Sequence, residues 1–337
     1  MLRFLGKRLF QGIFVLIGVS ILIFIISRIV PGNPARLALG PRATQEAVDA
    51  LSKEMHLDES LPKQYYHWIS GVVKGDFGKS VNTMRPVADD VKEFFPATIE
   101  LVLFSGIILV ILSVVLGLLG ARYQDTWVDG IIRLLSYVGI AIPSFVIAII
   151  FLLIFGNIWK VIPVLGRLSY GVTPPPTVTG MILVDSIIAG NWNAFADGFL
   201  HLLLPGIALS LIGSMQGARI LRSSLIDNKN KEHISVLRGY GLPEKLLTQK
   251  FLLKPSLTPV ITIIGLSLAN LMGNAFLVER IFNWPGLSSY GVNAMLTKDL
   301  NAISAVILIA GLVFLIVNIL VDIILAALDP RIRLGDE

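Results

Sequence analysis

Long stretches without a charged residue alternate along this chain with segments that carry nearly all of its charge. A helix needs about 20 apolar residues to cross a bilayer, because lipid offers no partners for backbone polar groups. Such stretches occupy residues 9–27, 101–121, 134–159, 202–218, 255–278 and 302–321, the last continuing past Asp322 to residue 328. The pattern predicts an all-α membrane protein with six transmembrane helices. The third stretch is longer than a span requires, so we expect one tilted helix there.

The composition supports this class and excludes several others. Hydrophobic residues make up 54% of the 337-residue chain and charged residues only 15%, whereas soluble domains carry about 25% charged residues. The absence of cysteine excludes disulfides, thiolate metal sites and cysteine nucleophiles. The four histidines, His56, His67, His201 and His233, show no metal-ligand spacing. The sequence therefore predicts no metal site and no catalytic residue.

The distribution of charge predicts the orientation of the chain. With a cytoplasmic N-terminus, the inner segments hold 15 basic and 8 acidic residues, and the outer segments hold 12 basic and 13 acidic residues. The inner segments are then 1–8, 122–133, 219–254 and 329–337, and the outer segments are 31–96, 160–201 and 279–301. Because Lys and Arg are enriched in cytoplasmic loops, the N- and C-termini are both predicted to be cytoplasmic. The net charge of +5 is explained in this way, and no nucleic acid is expected as a partner.

The lengths of the connecting segments predict the domain organisation. Residues 1–30 form an N-terminal cytoplasmic segment and the first span. Residues 31–98 form an extracytoplasmic region that is too long for a simple connector. Residues 99–337 form the core membrane domain, with an extracytoplasmic insertion at 160–200 and a cytoplasmic loop at 219–254.

The sequence lacks the usual signs of ATP binding and of ion coupling. The segment 75–80 ends in Gly-Lys-Ser, but the phosphate-binding pattern G-x-x-x-x-G-K-[ST] requires glycine where this chain has Val73. Ion-coupled carriers place ionisable groups near the bilayer centre, and the middle of every predicted span is uncharged. Asp322 lies about two turns from the inner end of the last span. We interpret it as a structural aspartate that faces a neighbouring helix, with ion coupling as the alternative.

The most informative polar segment is the centre of the predicted cytoplasmic loop. It contains, in order, Glu232, His233, Ile234, Ser235, Val236, Leu237, Arg238, Gly239, Tyr240, Gly241 and Leu242. Ile234, Leu237 and Val236 are predicted to share one side of a short helix, with charged residues opposite. Gly239 and Gly241 are predicted to end this helix. Such a helix suits docking into a groove on a soluble partner or a position at the lipid surface, and the spacing alone does not choose between them.

This segment resembles the coupling motif of the permease subunits of ATP-binding-cassette (ABC) importers, E-A-A-x-x-x-G, in the form found in the dipeptide, oligopeptide and nickel branch. Ser235, Val236 and Leu237 occupy the Glu-Ala-Ala positions before Gly241. Other segments resemble the same branch along nearly the whole chain, namely 31–34 (Pro-Gly-Asn-Pro), 75–80, 96–101 (Pro-Ala-Thr-Ile-Glu-Leu), 142–145, 201–205, 278–287 (Val-Glu-Arg-Ile-Phe-Asn-Trp-Pro-Gly-Leu) and 328–333.

The resemblance implies a type I ABC importer permease fold and a multi-pass position in the cytoplasmic membrane of a prokaryote. It implies as partners a second homologous permease, an extracytoplasmic solute-binding protein and two ATPase subunits that dock on residues 232–242. ATP and Mg²⁺ then bind the ATPase subunits, and this chain holds no cofactor. The implied cargo is di- or oligopeptides, with nickel, glutathione or oligosaccharide as alternatives. An ion-coupled carrier that works without an ATPase is the rival class.

A polar face on the fifth span is the candidate translocation pathway. Asn270 and Asn274 lie one turn apart, with Ser267 nearby. Such a face suits a wet channel. It suits helix packing equally well, helped by the small residues Gly273 and Ala269. Both interpretations stay open at this point.

Overall fold

The computed structural model describes residues 2–29, 34–40, 43–54 and 56–328. Its helices are α1 (Leu2–Ile29), α2 (Pro34–Leu39), α3 (Gln45–Glu54), α4 (Leu61–Val73), α5 (Val87–Arg122), α6 (Trp127–Ala141), α7 (Ser144–Leu153), α8 (Ile182–Ile188), α9 (Trp192–Lys229), α10 (Glu232–Gly239), α11 (Glu244–Leu246), α12 (Lys254–Ile281), α13 (Leu287–Thr297) and α14 (Leu300–Leu328). Two π-helical segments, Ile154–Trp159 and Leu247–Leu253, follow α7 and α11.

The predicted all-α class is confirmed. In the part of the chain that the structure describes, the only extended pairing is an isolated antiparallel bridge between Lys79 and Pro86. Two of the predicted family motifs fall partly outside the described residues, at 31–33 and 329–333.

Five helical runs are long and apolar enough to cross a membrane: α1, α5, α9, the continuous run from α11 to α12, and α14. A sixth candidate is the pair α6 and α7, which are bent by 105° at the break between them. The prediction of one tilted helix over 134–159 is therefore wrong. Ile142 has the extended backbone that a following proline favours, and Pro143 has no N–H to continue the helix.

Helices α5 and α9 extend well beyond the apolar stretches that predict them. Helix α5 has 36 residues and contains Pro96, and α9 has 38 residues and contains Pro205. At 1.5 Å per residue they are about 54 and 57 Å long, nearly twice the roughly 30 Å hydrocarbon core. Their polar ends therefore project beyond the membrane-sized part, where they can hold the connecting segments in place.

Helix α9 lies at the centre of the bundle and packs against α5, α6, α7, α8 and α12. Small residues let α5 and α9 approach closely. A Cβ added at Gly217 of α9 would lie 2.3 Å from Ser113 Oγ of α5, and one added at Gly117 of α5 would lie 2.7 Å from Leu221 Cβ of α9. Lipid tails are as apolar as the side chains, so the hydrophobic effect does not drive membrane helices together. Close van der Waals packing of this kind holds them instead.

Helix α1 packs along α14 at the edge of the bundle. A Cβ added at Gly12 would lie 2.2 Å from Leu315 Cδ1, and Arg8 Nε lies 3.2 Å from Asp322 Oδ2. Asp322 thus faces a neighbouring helix and pairs with a cation there, as its structural interpretation predicts.

The smaller helices lie before and between the long ones. Helices α2 to α4 occupy the predicted region 31–98, where α4 contacts α1. The predicted insertion 160–200 contains α8, which packs against α9, and it ends with the first residues of α9 itself. Helix α13 packs between α12, α14 and α5.

Candidate functional site

Helix α10 is the centre of the candidate site. Ile234 is fully buried and Leu237 is half-buried, and both pack against the core of this chain. By contrast, Val236 is 55% exposed and Tyr240 is 79% exposed. Val236 was predicted to share the buried side, and this is wrong, because two residues along a helix correspond to a rotation of about 200° from Ile234.

We call residues 232–242 the α10 segment. Leu242 is half-buried, and the remaining members are exposed, namely Glu232, His233, Ser235, Arg238, Gly239 and Gly241. The segment is therefore attached to the protein by one narrow apolar edge and presents its other sides outward.

Gly241 ends the α10 segment in the left-handed conformation, with φ +77°. Its N–H donates to the carbonyl of Arg238 (3.0 Å), and the N–H of Leu242 donates to the carbonyl of Leu237 (3.4 Å). These are the paired bonds of a Schellman motif. Arg238 Nε also donates to Glu244 Oε1 at 2.5 Å, and this hydrogen bond raises the pKa of Arg238 above its ordinary value.

The α10 segment lies next to the contact between the end of α9 and the start of α12. Asn228 Nδ2, near the end of α9, donates to Ser256 Oγ in the first turn of α12 at 2.8 Å. Ser256 Oγ donates to the carbonyl of Leu252 at 2.7 Å. Helix α10 contacts the π-helical segment that contains Leu252. The α10 segment therefore lies next to the contact between the ends of two long helices.

A buried ion pair lies at the same end of the bundle. Asp129, in the first turn of α6, is fully buried. Arg222 of α9 donates to it twice, from Nε at 2.5 Å and from Nη2 at 2.7 Å. The backbone N–H of Asp125 donates to the same carboxylate at 3.1 Å, and Arg133 Nε lies 3.6 Å from it. Such bidentate, charge-assisted contacts fix geometry as well as energy, so α6 and α9 are held together beside α10.

A second buried polar group lies at the opposite end, where α12 finishes. Glu279 is fully buried and accepts hydrogen bonds from Thr98 Oγ1 of α5 (2.6 Å) and from the N–H of Ser289 in α13 (2.8 Å). Thr98 Oγ1 in turn accepts the N–H of Leu287 at 2.7 Å. A Cβ added at Gly286 would lie 2.4 Å from the carboxylate, so a larger residue there would have to displace it. We call these five residues the Glu279 cluster.

Neighbouring side chains extend the Glu279 cluster to the predicted insertion. Trp284 Nε1 donates to the carbonyl of Ala97 at 2.9 Å, and the Arg167 guanidinium lies 5.3 Å from the centre of the Trp284 ring. Arg167 also pairs with Glu100 at 2.5 Å, and Glu100 accepts the N–H of Leu183 at 2.7 Å. Three separate stretches of sequence are joined here by hydrogen bonds, an ion pair and a cation–π contact.

The segment 75–80 binds the chain itself. Ser80 Oγ donates to Asp299 Oδ2 at 2.6 Å, and Asn301 Nδ2 donates to the carbonyl of Lys79 at 2.9 Å. The segment is therefore held against the junction of α13 and α14. That the Gly-Lys-Ser sequence is not a phosphate-binding loop stays a prediction.

The three candidate pathway residues lie on α12 in two different surroundings. Ser267 is half-buried against α9, where a Cβ added at Gly213 would lie 2.8 Å from its Cβ. Asn270 and Asn274 are exposed, and a Cβ added at Gly273 would meet nothing within 4 Å. Asn270, Gly273 and Asn274 therefore form a polar strip that the described part of this chain leaves uncovered.

The polar residues that join the helices were not predicted as site residues. Asp129 and Arg222 are 93 positions apart, and Thr98 and Glu279 are 181 positions apart, so no local pattern connects them. Thr98 and Glu279 do lie in two of the motifs that resemble the importer family. That was the one signal in the sequence that could have drawn attention to them.

Comparison with known proteins identifies the family. Residues 113–334 match the family described as binding-protein-dependent transport system inner membrane component. Residues 1–102 match the N-terminal region of the membrane components of such systems. Together, the two matched ranges cover nearly the whole chain.

Three relatives match this chain over almost their full length. The probable D,D-dipeptide transport system permease protein DdpB of Escherichia coli (strain K12) is 33% identical over 98% of this chain and 97% of its own. The dipeptide transport system permease protein DppB of Alkalihalophilus pseudofirmus is 34% identical over 99% and 100%. The glutathione transport system permease protein GsiC of Escherichia coli (strain K12) is 31% identical over 99% of both. The chain therefore belongs to the family of binding-protein-dependent transport system inner membrane components, as an ABC importer permease of the dipeptide and oligopeptide type.

Proposed function

We propose that this chain is the membrane-spanning permease subunit of an ATP-driven importer that translocates di- or oligopeptides across the cytoplasmic membrane of a prokaryote. The observation that carries the proposal is the α10 segment, anchored through Ile234 and exposed at Val236 and Tyr240. Family membership supports the importer class, because an inner membrane component of a binding-protein-dependent system works with a solute-binding protein.

The proposal includes six spans and cytoplasmic termini, with α6 and α7 forming one broken span. Two of the segments predicted to be cytoplasmic, 122–133 and 219–254, are joined at one end of the bundle by the Asp129–Arg222 pair. At the other end, segments predicted to be extracytoplasmic are joined by the Ser80–Asp299 hydrogen bond and by the contacts around Glu279. This separation supports the alternation of sides that the charge distribution predicts. The domain division at residues 30 and 98 belongs to the same proposal.

In this proposal an ATPase subunit receives the exposed side of the α10 segment in a groove. A helix that lies on lipid buries its most apolar side chains in the acyl boundary. Here Ile234 is turned into the permease instead, which favours docking over the lipid surface. Val236 and Tyr240 are the apolar and aromatic side chains of the segment that face outward. They are few and spaced apart, as expected for a helix that anchors itself in a groove.

Coupling then depends on the polar contacts around the α10 segment. The Asn228–Ser256 hydrogen bond passes a displacement to the ends of α9 and α12, and the Asp129–Arg222 pair passes it to α6. Packed helices respond to such a displacement by rigid-body shifts. A movement of the ATPase subunits would in this way alter the spans that line the pathway.

The other proposed partners occupy the surfaces that this chain leaves open. A second homologous permease covers the strip of Asn270, Gly273 and Asn274, and the pathway runs along Asn270, Asn274 and Ser267. The extracytoplasmic solute-binding protein meets the region 31–98, and the lipid bilayer surrounds the rest. ATP and Mg²⁺ bind the two ATPase subunits, so ATP is hydrolysed there and not by this chain.

The cargo is proposed from the relatives. DdpB and DppB are named for dipeptides, and together they support a peptide cargo. GsiC is named for glutathione, which is itself a small peptide, so glutathione is the second candidate. Nickel and oligosaccharide remain alternatives within the same architecture, and neither is named in the three relatives.

Tyr240→Asp tests the docking of the ATPase subunits. The change places a charge on the exposed side of the α10 segment without touching the buried Ile234 edge. In the reconstituted transporter we expect co-purification of the ATPase subunits and permease-dependent ATP hydrolysis to fall about tenfold or more, as for other interface anchors.

Tyr170→Asp is the matched control, because Tyr170 is also fully exposed but lies in the predicted insertion at the other end. It should leave co-purification of the ATPase subunits unchanged. If the two variants behave alike, or if this chain moves solute without an ATPase, the proposal is wrong. When the two variants differ as expected, competition by dipeptides, glutathione and nickel for uptake in the intact system identifies the cargo.

A further inference from the structure

Two histidines and a glutamate meet at the junction of α3 and α4. His56 Nδ1 lies 3.1 Å from Glu59 Oε1, and His67 Nε2 lies 3.5 Å from Glu59 Oε2. The two imidazole rings are stacked, with centroids 4.2 Å apart and planes 11° apart. The donor atoms of all three side chains lie within 4.8 Å of one another.

The backbone around this group is fixed by hydrogen bonds. Gln64 Nε2, a buried side chain of α4, donates to the carbonyls of Leu57 (3.1 Å) and Glu59 (2.8 Å). The N–H of Leu57 donates to the carbonyl of Ser52 at 2.9 Å. His56 has φ +54°, a left-handed conformation that few residues with a side chain adopt. The turn that carries His56 and Glu59 is thus held against α4.

Helix α4, which carries His67, packs against α1. Tyr65 OH and Ser20 Oγ of α1 share a hydrogen bond of 2.8 Å. The ring of Phe24 in α1 meets the rings of Tyr65 and Trp68 at 5.4 and 5.9 Å. His67 therefore projects from a helix whose opposite side is packed on a span, and the three donor groups rest on supported elements.

We propose that His56, Glu59 and His67 form a binding site for a divalent transition metal ion, with Zn²⁺ as the best fit. Two imidazoles and one carboxylate are a ligand set that Zn²⁺ takes in proteins, with a fourth position left for water. At metal–ligand distances of about 2.0–2.1 Å, tetrahedral ligand atoms lie roughly 3.3 Å apart. Each imidazole nitrogen lies near one oxygen of the Glu59 carboxylate, at 3.1 and 3.5 Å, and the three donor atoms lie within 4.8 Å of one another, so small side-chain rotations bring them to that separation. All three side chains are 30–44% exposed, so an ion can enter from solvent.

This site departs from the prediction that the chain holds no metal. The sequence spacing of three and eight residues between the ligands belongs to no familiar metal motif, and only the packing of the turn on α4 brings them together. A bound ion would link the turn after α3 to α4 and stiffen the region 31–98. The proposal is independent of the cargo and of the docking of the ATPase subunits.

Zn²⁺ titration of the full chain tests the site. The protein is purified in detergent with a tag that contains no histidine, stripped with a chelator, and titrated with Zn²⁺ by calorimetry. Changes outside the ligand shell already weaken metal sites by about 10–100-fold, so we expect His67→Ala or Glu59→Gln to weaken binding about 100-fold. Titration with Co²⁺ adds a visible spectrum, whose intense bands would report tetrahedral coordination in the wild-type chain and not in the variants.

Asp58→Asn is the matched control, because it removes an exposed carboxylate next to Glu59 that is not part of the group. It should bind Zn²⁺ as the wild type does. Melting temperatures measured without metal check that His67→Ala and Glu59→Gln still fold, and Zn²⁺ should raise only those of the wild type and Asp58→Asn. Equal affinity in the wild type and His67→Ala, or an equal loss in Asp58→Asn, would overturn the proposal.

Discussion

The two ends of the helix bundle are held together in different ways. At one end the Glu279 cluster, Trp284 and Arg167 join several segments through buried hydrogen bonds and an ion pair. At the other end the Asp129–Arg222 and Arg8–Asp322 pairs and one serine hydroxyl hold the helices, and the α10 segment stays largely exposed. Both ends are proposed to meet a partner, the solute-binding protein at the first end and an ATPase subunit at the second. An end with few anchors and an exposed helix is suited to receive one.

The largest expected effect belongs to Arg222→Leu, at the end with few anchors. It leaves the buried Asp129 carboxylate without its bidentate partner, and removing one member of a buried pair typically costs about 3 kcal/mol or more. Denaturation of the purified chain in detergent measures the loss. Lys92→Leu is the control, since the Lys92–Asp89 pair at the other end is exposed and is worth about 0–1 kcal/mol. Equal losses of unfolding free energy in the two variants would show that the buried Asp129–Arg222 pair matters no more than an exposed pair.

Gly286→Ala is expected to have the next largest effect, at the Glu279 end. The new methyl group would meet the Glu279 carboxylate at 2.4 Å, and overpacking of this kind costs about 1–3 kcal/mol. Gly273→Ala offers a matched control, because its Cβ meets nothing within 4 Å. Alanine there should raise helix stability by up to about 1 kcal/mol. The same denaturation measurement applies. An unchanged free energy of unfolding in Gly286→Ala would mean that the Glu279 carboxylate can move aside at little cost.

The smallest effect is a dependence on pH at Asp185, which holds the turn beside Arg167. Burial alone would raise the pKa of Asp185, but its hydrogen bonds from Thr179, Val178 and Gly180 outweigh burial and lower this pKa. A lowered pKa contributes stability that is complete above the ordinary value of about 3.9 and is lost as pH falls through the folded-state value.

Asp185→Asn should therefore be less stable than the wild type by about 1–2 kcal/mol at neutral pH. Because only the wild type loses stability on protonation of this carboxyl group, the difference should shrink toward zero in acid. Denaturation of both proteins at a series of pH values measures it. A difference that stays constant with pH would assign the effect to shape rather than to charge.

The sequence predicted the helices whose length is set by the thickness of the bilayer. The six apolar stretches correspond to five long helical runs and one bent pair, because only a helix of sufficient length satisfies its backbone in hydrocarbon. The break at Pro143 was missed because hydropathy does not distinguish a straight span from a broken one. The extensions of α5 and α9 were missed because their polar ends are stabilised by contacts with distant segments.

The α10 segment was predicted because its composition and glycines are local signals, and its helix and turn are where they were expected. Its buried edge was only partly predicted, since the exposure of Val236 depends on which side of the helix meets the core. The polar groups that join the helices were not predicted. Glu279 and Thr98 are distant in sequence, and only the packing of α5 against α12 and α13 brings them together.

Cross-linking from a single cysteine tests the central claim most directly. The chain contains no cysteine, so Tyr240→Cys and Tyr170→Cys each introduce one thiol for a maleimide that carries a photoreactive group. In the assembled transporter the account predicts that Tyr240→Cys cross-links to an ATPase subunit and that Tyr170→Cys does not. An active complex in which Tyr240→Cys yields no cross-link, or in which Tyr170→Cys reaches the ATPase subunit, would contradict the account.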